Sequence, residues 1–362
     1  MEIRRIIEEY LPAFEQKYSR TLIPGQVRAL ESMLRCRTPE CGEMLVECSG
    51  GCGRVELHPH SCGHRSCPRC QNHESTRWIA RQKAKLLPVR YFLVTFTIPC
   101  ELRSAAYHNQ RTFFEVLFRS SSEALTELAA NPRHLGGEIG MTGVLHTNSR
   151  RLDLHPHIHY IVPAVALDRN EKLWKRKGGK FLLPHSPLSR LFRGKLLALL
   201  REHGIAFPGD LHSMKWNVDF KDAGSGEHAV EYLARYLYRG VIGEKSIIGN
   251  ENGKVSFQYQ DSDTRKMETR TLPGEDFLML ILTHVLPKGF RRTREYGFLH
   301  GNAAKTLKLL QLILQAEIPF EEEPERPAFK CPVCGRKMQI VAYRIRNSLD
   351  LKERASPAKS AA

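Results

Sequence analysis

Between Cys36 and Cys70 the chain places seven cysteines, Cys36, Cys41, Cys48, Cys52, Cys62, Cys67 and Cys70, with His58, His60 and His64 interleaved. That density is far above ordinary usage and leaves two ways to fold the segment, disulfides or metal ligation. The N-terminus carries no apolar leader, and disulfides belong to oxidising compartments, so thiolate ligation in a reducing compartment is the better account. Cys48-Ser-Gly-Gly-Cys52-Gly and Cys67-Pro-Arg-Cys70 are each shaped like a zinc knuckle, in which small or Pro residues let backbone N–H groups turn toward the thiolates. One tetrahedral site is expected from Cys48, Cys52, Cys67 and Cys70, and a second from Cys36, Cys41, Cys62 and one of the three histidines. A structural Zn²⁺ of this kind is closed and folds a module without doing chemistry. The module would present Arg65, Arg69, Arg77, Arg81, Lys83 and Lys85 to DNA, or leave them as a solvated face.

With 362 residues the chain can bury a substantial core and hold two or three domains. Its 55 Lys+Arg against 39 Asp+Glu, a formal charge of +16, attract polyanions before any specific contact forms, and nucleic acid leads that class. No run of 18 or more apolar residues is present, so no membrane span and a cytoplasmic location are expected.

Hydrophobic periodicity places two short helices before about residue 34, broken at Pro12 and Pro24. Strands follow over Arg90–Pro99 and Glu138–Thr147, with a long amphipathic helix over 101–130 between them. A polar turn, Asn148 to Asp153, leads into Leu154-His-Pro-His-Ile-His-Tyr-Ile-Val162, a hairpin order that suggests antiparallel neighbours. On a strand His157 and His159 share one face while Ile158, Tyr160 and Val162 take the other, so two imidazoles can address one metal ion. His155 is in phase but Pro156 breaks the ladder, which puts it beside the pair rather than in it. A half-buried or solvated His-x-His is the bland reading of the segment alone.

Glu227 to Arg239 settles the balance toward chemistry. At 100° per residue Val230, Leu233, Ala234 and Leu237 form one apolar stripe, while His228, Tyr232 and Tyr236 fall on the opposite side among Arg235 and Arg239. Tyrosines used for packing would share the stripe. Two further segments have the composition of nucleic-acid grooves: the polar loop 168–180, with Arg169, Lys172, Lys175, Arg176, Lys177 and Lys180 around Trp174, and Lys288 to Phe298, with basic and aromatic residues interleaved. An acidic linker (Glu321, Glu322, Glu323, Glu325) precedes Cys331-Pro-Val-Cys334, half a metal site that is either completed by distant ligands or is a turn. Cys100 stands alone as an inert thiol.

Cys36-Arg-Thr-Pro-Glu-Cys-Gly, His60-Ser-Cys-x4-Cys-Pro-x-Cys-Gln, Leu154-His-Pro-His-Ile-His, Tyr232-Leu-Ala-Arg-Tyr-Leu and His284-Val-Leu-Pro-Lys-Gly-Phe-Arg-Arg together resemble bacterial HUH transposases of the rolling-circle insertion-sequence type, the insertion-sequence-ninety-one group. The resemblance runs from Leu34 to about Cys334. It implies an α+β fold, an antiparallel central sheet with flanking helices (the HUH endonuclease, ferredoxin-like palm), plus a small N-terminal zinc-binding module. Domains are expected over 1–85 (zinc and DNA binding), 86–300 (single-stranded DNA nuclease) and 301–362 (C-terminal helix, acidic linker and cysteine pair). It also implies that His157 and His159 hold a catalytic Mg²⁺ or Mn²⁺, and that Tyr232 and Tyr236 match the tyrosine motif whose nucleophiles form a 5′-phosphotyrosine; the motif does not fix the third metal ligand, for which His228, one turn before Tyr232, is the candidate. The partners implied are single-stranded DNA at element ends and target, with a homo-oligomer allowed. A plasmid-type HUH replication initiator and a non-catalytic zinc-dependent DNA-binding protein are the competing readings.

Overall fold

The computed structural model describes residues 2–70, 72–168, 173–176, 182–237, 240–261, 264–317, 328–344 and 351–353. Of the expected basic loop, Arg169, Lys172, Lys177 and Lys180 lie outside the described residues, as do the side chains of Trp174, Lys175 and Arg176 and the acidic linker.

The chain opens with α1 (Ile3–Tyr18) and α2 (Pro24–Arg35). The break expected at Pro12 does not occur. Pro12 sits on the exposed face of α1, where the carbonyl freed at Glu8 can bond water, while Ile3, Ile6, Ile7, Tyr10 and Phe14 are buried on the other face. Burial of five such side chains outweighs the ~3 kcal/mol that an interior proline costs. At Pro24 the expectation holds, with proline in the first turn of α2, where its missing N–H costs nothing.

Next come the hairpin β1 (Glu43–Cys48) and β2 (Val55–Pro59), then α3 (Asn72–Lys83) and β3 (Tyr91–Thr97). The helical stretch expected over 101–130 is two helices, α4 (Arg103–His108) and α5 (Gln110–Ala130), followed by the short β4 (Glu138–Ile139). The predicted hairpin is β5 (Met141–Asn148) and β6 (Leu154–Pro163). Beyond it β4 pairs with β7 (Val165–Asp168), which pairs with β8 (Leu173–Arg176), so part of the expected polar loop is strand. Helix α6 (His185–Glu202), β9 (Val218–Asp222) and α7 (Glu227–Leu237) precede a three-stranded meander of β10 (Ile247–Glu251), β11 (Lys254–Gln260) and β12 (Met267–Pro273). The chain continues through α8 (Gly274–Leu282), β13 (Thr293–Tyr296), α9 (Ala304–Ile313) and β14 (Met338–Arg344).

The central sheet has the order β13-β5-β6-β3-β9 with every neighbouring pair antiparallel. Period-2 alternation gives it two different faces. Val94, Phe96, Leu145, Ile158, Tyr160 and Val162 pack on one side against α5 and α6. Tyr91, Val144 and Ile161 pack on the other against Trp78 of α3 and the Val230, Leu233, Ala234 and Leu237 stripe of α7. The architecture is therefore α+β, with helices on both faces of an antiparallel sheet. Tyr160 anchors the core side through a 2.8 Å hydrogen bond with Ser121 Oγ. It also explains the glycine across from it, because a Cβ on Gly143 would lie 2.5 Å from the Tyr160 ring.

Both ends of the chain fold back. Helix α1 packs on α8 and the meander, sharing a core with Phe257, Phe277, Leu278 and Ile281, and Tyr10 Oη bonds Asn250 Oδ1 at 2.6 Å. Strand β14 pairs antiparallel with β1, from Glu43 opposite Arg344 to Cys48 opposite Met338. Residues nearly three hundred apart thereby share one sheet.

Candidate active site

His157 and His159 emerge from β6 on the face turned away from Ile158 and Tyr160, as alternation requires. The neighbouring strand adds His146, directly opposite His157. The three ring centroids are 4.6–5.1 Å apart. One ligand nitrogen from each lies within 4.8 Å of the others. Backbone and hydroxyl partners orient the rings: His157 Nδ1 donates to the His155 carbonyl at 2.6 Å, and His159 Nδ1 sits 2.8 Å from Thr95 Oγ1. With Nδ1 engaged in this way, Nε2 is the lone pair left for a metal. Burial pushes all three imidazoles below the usual histidine range, His157 to about 4, and the neighbouring imidazoles add repulsion at His146 and His159. At neutral pH the cluster is uncharged, the protonation state a metal needs.

The expected third ligand is corrected. The His228 side chain is 98% exposed and lies 4.0 Å from Glu231, outside the cluster. It shares a helix face with Tyr232 but sits about 6 Å further toward the start of α7. The signal that would have found His146 was the hairpin itself, since pairing across the 148–153 turn is what brings it to His157. His155 is not in the cluster; its carbonyl holds His157 and its ring is 3.3 Å from the Arg103 guanidinium.

Helix α7 lays its apolar stripe on the sheet and leaves Tyr232, 37% exposed, on the histidine side. The Tyr232 ring stands edge-on to His159, centroids 6.1 Å apart at 86°. Polar contacts add to the packing of α7 on α3, among them Lys83 Nζ with Glu231 at 2.9 Å and Ser75 Oγ donating to the Ala234 carbonyl. The backbone of Tyr236 is helical, but its side chain and that of Arg235 lie outside the described residues, as do Tyr238 and Arg239.

The thiols group differently from the expected sets. Cys36, Cys62, Cys67 and Cys70 form one cluster and Cys48, Cys52, Cys331 and Cys334 another, with the sulfurs of each mutually within 4.8 Å. The β1–β2 hairpin carries Cys48 and Cys52 away from Cys67 and Cys70 and toward β14. Cys41 belongs to neither cluster, nor do His58, His60 and His64. His58 instead stacks on Phe329 at 4.1 Å and pairs with Glu56 at 3.0 Å, and His64 Nδ1 accepts from the Ser66 N–H. In the first cluster the neighbouring Cys62 and Cys67 sulfurs draw the Cys36 thiol below the usual cysteine range.

Sequence comparison assigns the same two regions. Residues 6–98 match the family described as "Transposase zinc-binding domain" and residues 140–306 the family described as "Putative transposase". "Putative transposase y4qJ" of Sinorhizobium fredii is 34% identical over 379 aligned positions, covering 94% of each chain. The chain belongs to the IS91-like transposase family. The transposase for insertion sequence element IS801 of Pseudomonas savastanoi pv. phaseolicola is 29% identical to it over 350 positions, covering 88% of this chain and 83% of that one. Among solved structures, the conjugative relaxase TrwC in complex with oriT DNA overlaps 63% of this chain and 73% of its own at 13% identity, with a TM-score of 0.25. No helix among the described residues of the transposase is long and apolar enough to cross a membrane.

The transposase also carries a basic cleft of about 940 Å³ built on the 288–298 segment. Strand β13 is an edge of the central sheet, and the cleft beside it is lined by Arg81, Lys85, Arg111, Arg291, Arg294 and Tyr296. Arg294 lies over Phe118 and Phe290, 4.4 and 5.3 Å from the ring centroids, which orders its guanidinium. Glu295 is held by Lys85 at 2.6 Å and Gln82 at 2.9 Å. Of the cations expected to face DNA, Arg81 and Lys85 line this cleft. Arg65 instead donates to the Phe290 carbonyl, and Arg69 pairs with Glu2 and Glu244.

Proposed function

We propose that this transposase nicks and rejoins single-stranded DNA through Tyr232, over a divalent metal held by His146, His157 and His159. The observation that carries the reading is the edge-on placement of the exposed Tyr232 ring against His159, one corner of three neutral imidazoles. Three imidazole nitrogens suit Mn²⁺ better than Mg²⁺, which prefers oxygen ligands. The bound ion would supply Lewis-acid withdrawal of charge from the scissile phosphate. The Tyr232 hydroxyl attacks phosphorus and loses its proton as the P–O bond forms, since a free phenol has a pKa of about 10. The P–O3′ bond breaks, the 3′ oxygen takes a proton, and the 5′-phosphotyrosine conserves the bond energy for rejoining.

Tyr236, one helical turn or about 6 Å along α7, is the second nucleophile in this scheme. The thiol module supplies a zinc-folded DNA-binding unit, and the cleft on β13 supplies a backbone path. The test is covalent capture on a single-stranded oligonucleotide carrying an element end, followed by mapping of the linked peptide. An adduct on Tyr232 or Tyr236 that requires divalent metal supports the proposal; an adduct on any other residue, or full yield in excess chelator, overturns it.

A further inference from the structure

We propose that Cys48, Cys52, Cys331 and Cys334 bind one zinc ion, which clamps the C-terminal β14 ribbon onto the N-terminal β1–β2 hairpin. Cys48 and Cys52 lie inside the zinc-binding match over residues 6–98, whereas Cys331 and Cys334 lie beyond both family matches, which end at residues 98 and 306, so the second half of the ligand set comes from outside them.

The geometry is that of two facing knuckles. Cys48 Sγ and Cys334 Sγ are 3.3 Å apart, and Cys52 Sγ and Cys331 Sγ 3.6 Å, across 286 and 279 residues of chain. Zinc–sulfur bonds of ~2.3 Å at tetrahedral angles imply sulfur–sulfur edges of about 3.8 Å, close to what is seen. A disulfide would need ~2.0 Å, and all four cysteines are free.

Backbone turns on both sides serve the sulfurs. On the N-terminal side the Gly50 N–H reaches Cys48 Sγ at 3.2 Å, and a Cβ at Gly50 would lie 3.2 and 3.3 Å from the Cys334 and Cys48 sulfurs and 2.7 Å from Arg336 Cδ. Gly51 and Gly53 adopt positive φ to close that knuckle, and Gly335 does the same after Cys334, its N–H donating to the Cys331 carbonyl. The strand pairing between β1 and β14 ends at Cys48 opposite Met338, which places the second knuckle beside the first. Val46, Cys48, Cys331 and Met338 bury a small core next to the sulfurs. So small a core holds a ribbon poorly by itself, and a four-thiolate ion supplies what it lacks. The clamp is independent of the strand-transfer scheme, and its failure would leave that scheme standing.

The experiment is zinc analysis of the purified, reduced full-length chain, with Co²⁺ substitution to report thiolate coordination by its charge-transfer absorption. The wild type is expected to hold two thiolate-bound ions. Cys331→Ser/Cys334→Ser is expected to hold one and to expose the 328–344 ribbon to limited proteolysis, while Cys334→His keeps two ions with a weakened charge-transfer band. If the double variant fails to fold, the wild-type stoichiometry and Cys334→His spectrum decide the matter alone. Two ions retained by the double variant, one ion in the wild type, an unchanged Cys334→His spectrum, or an intact mass showing Cys48 or Cys52 in a disulfide would overturn the clamp.

Discussion

His146 on β5 faces His157 on β6 across the hairpin, ring centroids 5.1 Å apart and planes at 80°, so that one strand completes the histidine cluster the other begins. Histidines 11 positions apart in the chain are brought to one point by the antiparallel register. Replacing His146 by Ala is expected to lower metal-dependent adduct formation on the order of 100-fold or more, comparable with His157→Ala or His159→Ala, since electrostatic stabilisation at the phosphate contributes several kcal/mol. His228→Ala should leave it unchanged. Single-turnover cleavage of a labelled oligonucleotide measures both, and a strong defect in His228→Ala with none in His146→Ala would reverse the ligand assignment.

Tyr232→Phe removes only a hydroxyl from a side chain that is not part of the core stripe, so unfolding free energy should change by less than about 0.5 kcal/mol. Each of Tyr232→Phe and Tyr236→Phe should still form one covalent adduct and fail to complete transposition. A Tyr232→Phe protein that forms no adduct, beside a Tyr236→Phe protein that transposes normally, would make this a single-tyrosine enzyme.

Gly143→Ala should destabilise the sheet by about 1–3 kcal/mol, because its methyl would meet the Tyr160 ring at 2.5 Å and that ring is fully buried in the core on the far side of β6 from the histidines. Denaturant midpoints read this directly. A neutral result would mean that Tyr160 can move away without cost, which its hydrogen bond with Ser121 argues against.

Acid should destabilise the metal-free protein within a defined window. Burial holds His284 at about 4, where its Nε2 bonds the Leu152 carbonyl at 2.8 Å, and holds His157 at about 4 as well. A depressed histidine binds its proton first in the unfolded chain. Stability is therefore full above pH ~6.5, falls as pH drops toward about 4, and levels off below. The loss amounts to up to about 3 kcal/mol at His284 and less at half-buried His157. Added Mn²⁺ should move the loss at the metal site to lower pH. Urea unfolding followed across this range in chelator would contradict the assignment if stability stayed constant.

Removing Arg81 and Arg291 together should weaken single-stranded DNA binding at low salt and flatten its salt dependence by about 0.7 log units per log unit of salt for each lost phosphate contact. Both line the cleft beside β13, and neither belongs to the histidine cluster. Binding isotherms at several ionic strengths decide this, and an unchanged slope would show that the strand does not run through the cleft.

Local periodicity determined much of this protein from sequence alone. A period of two puts His157 and His159 on one side of β6 whatever surrounds them, and a period of 3.6 separates Val230, Leu233 and Leu237 from Tyr232 before any packing is known. Only the tertiary structure decided what these residues meet. The register that brings His146 to His157 depends on a turn with an irregularity between His146 and Asn148 and with buried Leu152 at φ 66°, its carbonyl held by the distant His284. The partition of the thiols likewise follows from β1 pairing with β14, which carries Cys331 and Cys334 to Cys48 and Cys52 and leaves Cys36, Cys62, Cys67 and Cys70 to one another. Spacing within one segment reports which ligands can share a turn, whereas the choice among ligands far apart in the chain is made by strand pairing and core packing, which act over distances that spacing does not encode.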